Sequence, residues 1–250
     1  MKVLIFGATG GTGRALLEQA LEQGHVVTAF ARDPAKVRST HQNLTVAQGN
    51  MLDLNSVEAA VKGQDAVLSA LGTHLPVWTI VFLTFAFQIL ARVLTLTGPL
   101  GWSVRIGGPI LALLFLTRRT TALSEGTKNI VQAMKKHGVQ RLICESSLGV
   151  ADSRGRLGIF YNLILVPLLL RNMFADKAVQ EQIIQASGLA WVIVRPSSLT
   201  NGPRKGIYRA GMDIGGWFRP TKISRADVAD FMLKQLTDDT YLRKTPGVAY

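Results

Sequence analysis

Residues 3–14 read VLIFGATGGTGR, an apolar run that passes straight into glycines at positions 7, 10 and 13. The run has the length and composition of a buried strand, and residues 14–23 have the amphipathic spacing of a helix. Between them the order is G-x-x-G-x-x-G. Backbone without side chains can turn tightly, approach a pyrophosphate and let the helix pack close to the strand. The helix start then offers unbonded N–H groups and a partial positive charge to phosphate oxygens. Strand, glycines and helix together predict a dinucleotide-binding turn, with Gly7, Thr9, Gly10, Gly11, Thr12 and Gly13 as its candidate cofactor residues.

Outward from this turn, short apolar runs alternate with longer amphipathic ones, the pattern of a parallel sheet with crossover helices. Strands are predicted at Val3–Phe6, Val26–Ala31, Leu44–Gln48, Ala66–Ala70, Leu142–Glu145 and Trp191–Arg195. Helices are predicted near Arg14–Gln23, Asn55–Val61, Ala122–His137, Asp176–Ala186 and Arg225–Leu236. Gly24, Gly63, Gly138 and Gly188 each follow a helix, where a left-handed residue can close it, and Ser224 is placed to cap the last one. The fold class is therefore α/β, a Rossmann-like doubly wound parallel sheet with helices on both faces. With no internal repeat and no low-complexity linker, residues 1–250 read as one domain carrying an insertion at 75–119.

Composition narrows the partners. A hydrophobic content of 48% lies in the globular range and argues against disorder. The net charge of +12 implies attraction to an anion, whether a phosphorylated cofactor or a lipid surface. The basic residues are dispersed and accompany no recognition motif, which argues against nucleic acid. One cysteine, Cys144, excludes an intrachain disulfide, suits a reducing compartment and reads as core packing. The four histidines have no metal-ligand spacing, so no metal site is expected. No signal peptide is legible, and cytoplasmic residence is the expectation.

The second strand ends VVTAFARDP, with Arg32 where NAD-preferring sites usually place a carboxylate for the ribose 2′-hydroxyl. A guanidinium pairs a 2′-phosphate, and Arg14 stands just after the glycines, so the pair points to NADPH. Asp33 is the rival reading for NAD, but beside Pro34 it looks like a helix cap.

The stretches GATGGTGR, AVKGQDAVLSALGT, SEGTKNIVQAMKKHGV, ESSLGV and SGLAWVIVRP resemble the atypical short-chain dehydrogenase/reductases with an NmrA-like, NAD(P)H-binding Rossmann domain. The flavin reductase/biliverdin-IXβ reductase group is the nearest functional likeness. The resemblance covers Met1 to about Thr73 and then Thr121 to the C-terminus. It implies that Gly49, Asn50 and Met51 line the adenine and that Leu71, Gly72 and Thr73 follow the middle of the cofactor. It also implies that Ser146 and Ser147 lie beside the nicotinamide and that Arg195, Pro196 and Ser197 close over it. Asn50 stands where an aspartate is usual. In the Tyr-x-x-x-Lys pattern of such enzymes Lys177 matches the lysine, which holds the ribose hydroxyls, but Met173 occupies the tyrosine position and cannot transfer a proton. Tyr161 is distant in sequence. Ser146, Ser147 and Lys177 are therefore the candidate catalytic residues.

Two regions break the alternation. From Leu75 to Arg119 an apolar arm, a GPLG turn and a second apolar arm follow the fourth strand, interrupted by Arg92 and Arg105 and closed by Arg118 and Arg119. The stretch GIFYNLILVPLLL follows the fifth strand and is bracketed by Arg154, Arg156 and Arg171. Both leave the carboxyl edge of the sheet, where ligands bind. The first arm barely reaches the length of a spanning helix. A hairpin dipping into one leaflet with its arginines snorkelling, or a lid or dimer contact, are the other readings. The paired oily segments favour docking on an anionic membrane surface at the inner face of the cell membrane, with a homo-oligomer interface as the alternative. The expected function is an NADPH-dependent oxidoreductase acting on a flavin-like or quinone-like small-molecule acceptor. A non-enzymatic NADP(H) sensor or assembly factor, and a nucleotide-sugar or lipid-linked epimerase, are the alternatives.

Overall fold

A computed structural model describes residues 1–72, 121–158, 163, 170–216 and 221–250. Thr73, the 75–119 insertion and Tyr161 lie outside the described residues. In chain order the main elements are β1 (Lys2–Phe6), α1 (Gly11–Glu22), β2 (Val26–Ala31), β3 (Leu44–Gln48), α2 (Leu54–Val61) and β4 (Ala66–Ser69). After the insertion come α3 (Ala122–His137), β5 (Arg141–Glu145), α4 (Arg171–Gln185), β6 (Ala190–Pro196), β7 (Ser198–Thr200), β8 (Arg209–Gly211), β9 (Lys222–Ser224), α5 (Arg225–Lys234) and β10 (Gly247–Ala249).

Among the described residues the main sheet has eight strands in the order β3-β2-β1-β4-β5-β6-β10-β8. All neighbours are parallel except the edge pair β10–β8, and β7 pairs with β9 in a separate two-stranded sheet. The order reverses beside β1, so the carboxyl ends of β1 and β4 bound the crevice where α/β sheets bind ligands. Strand alternation splits the core in two. Val3 and Ile5 of β1 and Ile143 of β5 join residues of α1 and α5 on one face. Leu4, Phe6 and Cys144 join residues of α2, α3 and α4 on the other.

The caps follow the chemistry of their residues. Gly24, Gly63, Gly138 and Gly188 all have positive φ. The Ser224 hydroxyl accepts from the Asp227 amide at the start of α5, and the Asp33 carboxylate accepts from the Ala35 amide of a short 3-10 turn. α4 starts at Arg171, more than a turn before the expected Asp176, because the apolar stretch preceding it hides its start and Leu170 makes no side-chain cap. The short strands β7 to β10 carry too few residues for a periodic signal. Among the described residues no helix is long and apolar enough to cross a membrane.

Candidate functional site

The glycine turn is built by close approach. A Cβ at Gly13 would overlap the Gly7 carbonyl, and one at Gly7, whose φ is +80°, would overlap the carbonyl of Ala70, the residue just after β4. α1 therefore starts directly against the ends of β1 and β4. Its cap position is Gly10, with no side-chain cap and no acidic residue in the first turn. The first amides of the helix are thus left for an exogenous anion.

Around this helix start lies a cleft of about 980 Å³. At one end it is walled by Phe30, Ala31, Arg32 and the Asn50–Leu52 loop. That loop is pinned to α3: Asn129 Nδ2 donates to the Met51 carbonyl at 3.0 Å, and a Cβ at Gly126 would strike the Met51 side chain. Asn50 Oδ1 accepts from the Leu52 amide at 3.1 Å, which leaves its amide nitrogen available. At the other end the wall is apolar, formed by Leu157, Leu170, Met173, Phe174 and Leu199.

Between these ends, the termini of β5 and β6 present serines. Ser146 and Ser197 are buried, line the cleft, and their hydroxyls have no partner among the described residues. Two orphaned buried hydroxyls facing one cleft mark a place where a polar ligand supplies the missing partner. Ser147 differs, because its hydroxyl donates to the Leu148 carbonyl at 3.1 Å. Lys177 is buried on α4 and its Nζ donates to the Ser146 carbonyl at 3.0 Å. Met173 lines the same wall one helical turn earlier.

Most of the sequence-predicted residues meet at this cleft: Gly7, Thr9, Gly10, Gly11, Thr12, Arg32, Asn50, Met51, Leu71, Gly72, Ser146, Ser147, Lys177, Pro196 and Ser197. Others are placed differently. Gly13 packs on Gly7, outside the lining, and Arg14 is exposed and also outside the lining, which Arg32 joins. Arg195 does not line the cleft, because its buried guanidinium is taken by Glu181 in a two-pronged pair at 3.1 and 2.6 Å and by Asp152 at 2.6 Å. Burial opposes its charge, yet the two carboxylates hold it above the usual guanidinium range. Arg195 is thus a bracket between β6, α4 and the turn after β5.

Sequence reading missed Glu145 and Arg225. Both line the cleft, and the Arg225 side chain lies over Gly11. Glu145 was legible only as the last residue of a strand, and Arg225 only as the first of a helix. Arg32, Glu145, Lys177 and Arg225 are the charged residues among those described in the lining, a net excess of positive charge. Cys144, one residue from the cleft, belongs to the core; burial pushes its thiol up to about 12.

The free helix start, the basic excess and the orphaned hydroxyls suit a phosphorylated dinucleotide, and the known proteins that resemble the chain agree. A family model described as NAD(P)H-binding matches residues 7–97 and 104–239. The chain is 25% identical to Reductase pytE of Aspergillus terreus over 99% of its own length and 97% of that protein. Other curated relatives are longer, and the match spans 61% of one and 32% of another. Among solved structures, ChuY, an anaerobillin reductase from Escherichia coli O157:H7, matches with a TM-score of 0.71 and 19% identity, covering 100% of this chain and 97% of that one. A short-chain dehydrogenase/reductase from Veillonella parvula solved with NADP gives a TM-score of 0.69 and 18% identity over 100% and 94% of the two chains. These structural likenesses show the fold.

Proposed function

The chain belongs to the NAD(P)H-binding family of Rossmann proteins, and on that basis we propose that it is an NADPH-dependent oxidoreductase passing hydride to a lipophilic or planar acceptor. The observation that carries this reading is the division of one cleft. A phosphate-ready helix start and Arg32 lie toward one end, and the apolar wall of Leu157, Leu170, Met173, Phe174 and Leu199 lies at the other.

When bound, the cofactor supplies the hydride. The chain's own residues place the partners. The α1 amides and Arg225 would hold the pyrophosphate, and Arg32 would pair a 2′-phosphate. Lys177, fixed by the Ser146 carbonyl, has donors left for ribose hydroxyls. The unpartnered Ser146 hydroxyl would orient a polar atom of the acceptor, and the apolar wall would receive its flat body while excluding water. No tyrosine lines the cleft among the described residues. That favours acceptors such as flavins, quinones or linear tetrapyrroles over alcohols, whose oxidation calls for a dedicated base. The fungal relative is named a reductase and the bacterial neighbour an anaerobillin reductase, which supports the same direction.

Membrane docking belongs to the same proposal. Gly72 and Ala122 flank the 73–121 segment, and Leu157 and Leu170 flank the second oily stretch; all four line the cleft. The described residues that flank both apolar segments therefore lie at the site, which supports entry of a lipophilic acceptor from lipid there. The test is turnover of NADPH by the purified protein against flavin, quinone and linear tetrapyrrole panels, with and without anionic vesicles. Oxidation of NADPH by one of these classes is expected. Tight NADPH binding with no turnover on any panel would favour the rival reading, a non-enzymatic NADP(H) sensor, which Met173 at the tyrosine position supports.

A further inference from the structure

Glu145 has no part in the proposed hydride transfer, although it lies within the cleft. It ends β5, and strand alternation puts it on the face of Ile143, toward α1 and α5. It is 7% exposed and is the one acidic residue among those described in the lining. Thr12, in the first turn of α1, donates its hydroxyl to Glu145 Oε1 at 3.0 Å. The charged groups facing Glu145 are Lys177 from α4 and Arg225 from α5, and the Cys144 thiol is its strand neighbour. Burial raises its carboxyl above the usual range, and Lys177, Thr12 and Arg225 oppose that rise without cancelling it.

We propose that Glu145 takes up a proton when the dinucleotide binds, so that the cleft holds cofactor and proton together. The residue that holds its carboxylate, Thr12, sits in the same helical turn whose free amides receive the pyrophosphate. A bound pyrophosphate therefore brings negative charge beside Glu145 while the cofactor expels water from the cleft. Like charge and desolvation both favour the neutral acid, so they act in one direction. The proposal rests on the dinucleotide seat at the start of α1 and is independent of the acceptor.

The sign fixes the observable. Glu145 has a higher pKa in the bound protein than in the free one. The association constant is then constant below the free-state pKa, falls by up to tenfold per pH unit between the two values, and levels off above the bound-state value. The 2′-phosphate of NADPH titrates near pH 6 (about the second pKa of a phosphate monoester), and its pairing with Arg32 releases protons, the opposite sign. NADH lacks that group and is the cleaner probe.

Titration calorimetry of NADPH and NADH, in buffers of different ionisation heat from acid to alkaline pH, measures the protons directly. Net uptake approaching one proton is expected with NADH. Glu145→Gln keeps an acceptor for Thr12 and mimics the neutral acid. It should bind with pH-independent affinity equal to the wild type's low-pH limit, and therefore more tightly than wild type above the window. Thr12→Val removes the hydroxyl that favours the carboxylate and should move the window to higher pH, which keeps the test alive if the glutamine variant does not fold. Binding without proton uptake, or uptake that persists in Glu145→Gln, overturns this proposal alone. Absence of nucleotide binding by the folded wild type overturns the cofactor seat and this proposal with it.

Discussion

At the scale of single residues, three arginines with similar sequence credentials have different duties. Arg32 reaches the cleft, Arg14 faces solvent, and Arg195 is spent inside the fold. Arg32→Ala should therefore weaken NADPH about ten- to a hundredfold, the loss of one charge-assisted contact of roughly 1.5–3 kcal/mol, and leave NADH nearly unchanged. Fluorescence titration with both nucleotides checks this, and equal losses would exclude Arg32 as the 2′-phosphate partner. Arg195 is 2% exposed and its partner Glu181 1%, so removing the guanidinium leaves a buried carboxylate alone. Arg195→Met should cost about 3–5 kcal/mol of stability. The folded variant should still bind NADPH within about twofold of wild type, since no Arg195 atom lines the cleft. A large affinity loss with unchanged denaturant midpoint would return Arg195 to the cofactor.

At the scale of elements, the crossover between β4 and α3 carries the 75–119 insertion. α3 does not depend on the insertion for its start. The buried Asp176 carboxylate on α4 accepts from the Leu123 and Ser124 amides, both at 3.1 Å, and so caps α3 from within the core. Replacing residues 75–119 by a short glycine-serine loop should accordingly leave a folded protein that binds NADPH. It should also release the protein from anionic vesicles, whereas high salt alone should weaken but not abolish attachment of the intact chain. Vesicle flotation of both forms separates the outcomes. A full-length protein that ignores vesicles and runs as a dimer would make the insertion an interface.

At the scale of the whole molecule, the C-terminal third is tied together at one carboxylate. Asp227 Oδ1 accepts the Lys205 and Gly206 amides at 2.9 and 2.8 Å, and Oδ2 accepts the Ser224 and Tyr250 hydroxyls at 2.9 and 2.6 Å. Burial works to raise its pKa, but these four donors bring it below the usual carboxylate range. A depressed folded-state pKa stabilises the protein above the unfolded value of about 3.9 and is lost as pH falls through the folded value. Asp227→Asn should therefore cost about 1.5–3 kcal/mol near neutrality. The gap to wild type should close as the pH drops below about 4, read as melting temperature against pH. A gap that is constant down to low pH would show that the ionised form is not what the donors favour.

The parallel sheet and the glycine turn were legible in the chain because their signals are local. Strand runs such as Val26–Ala31, the helix over Ala122–His137 and the glycine positions needed only neighbouring residues to be read. The start of α4 was not legible, since its first turn continues an apolar stretch and its cap makes no side-chain bond. Short strands such as Gly247–Ala249 exist only because β6 and β8 flank them. Within the site, the sequence determined which residues gather at the carboxyl edge, because strand ends put Ser146, Ser197 and the glycine turn there. Only the tertiary structure decided what each does. Ser146 keeps a hydroxyl without a partner among the described residues while Ser147 spends its own, and Arg195 is withdrawn by Glu181 and Asp152. Glu145 becomes part of the cleft only because α1 and α5 bring Thr12 and Arg225 to it. Pairing of buried polar groups depends on partners far apart in the chain, and no spacing along one segment records which partner is met.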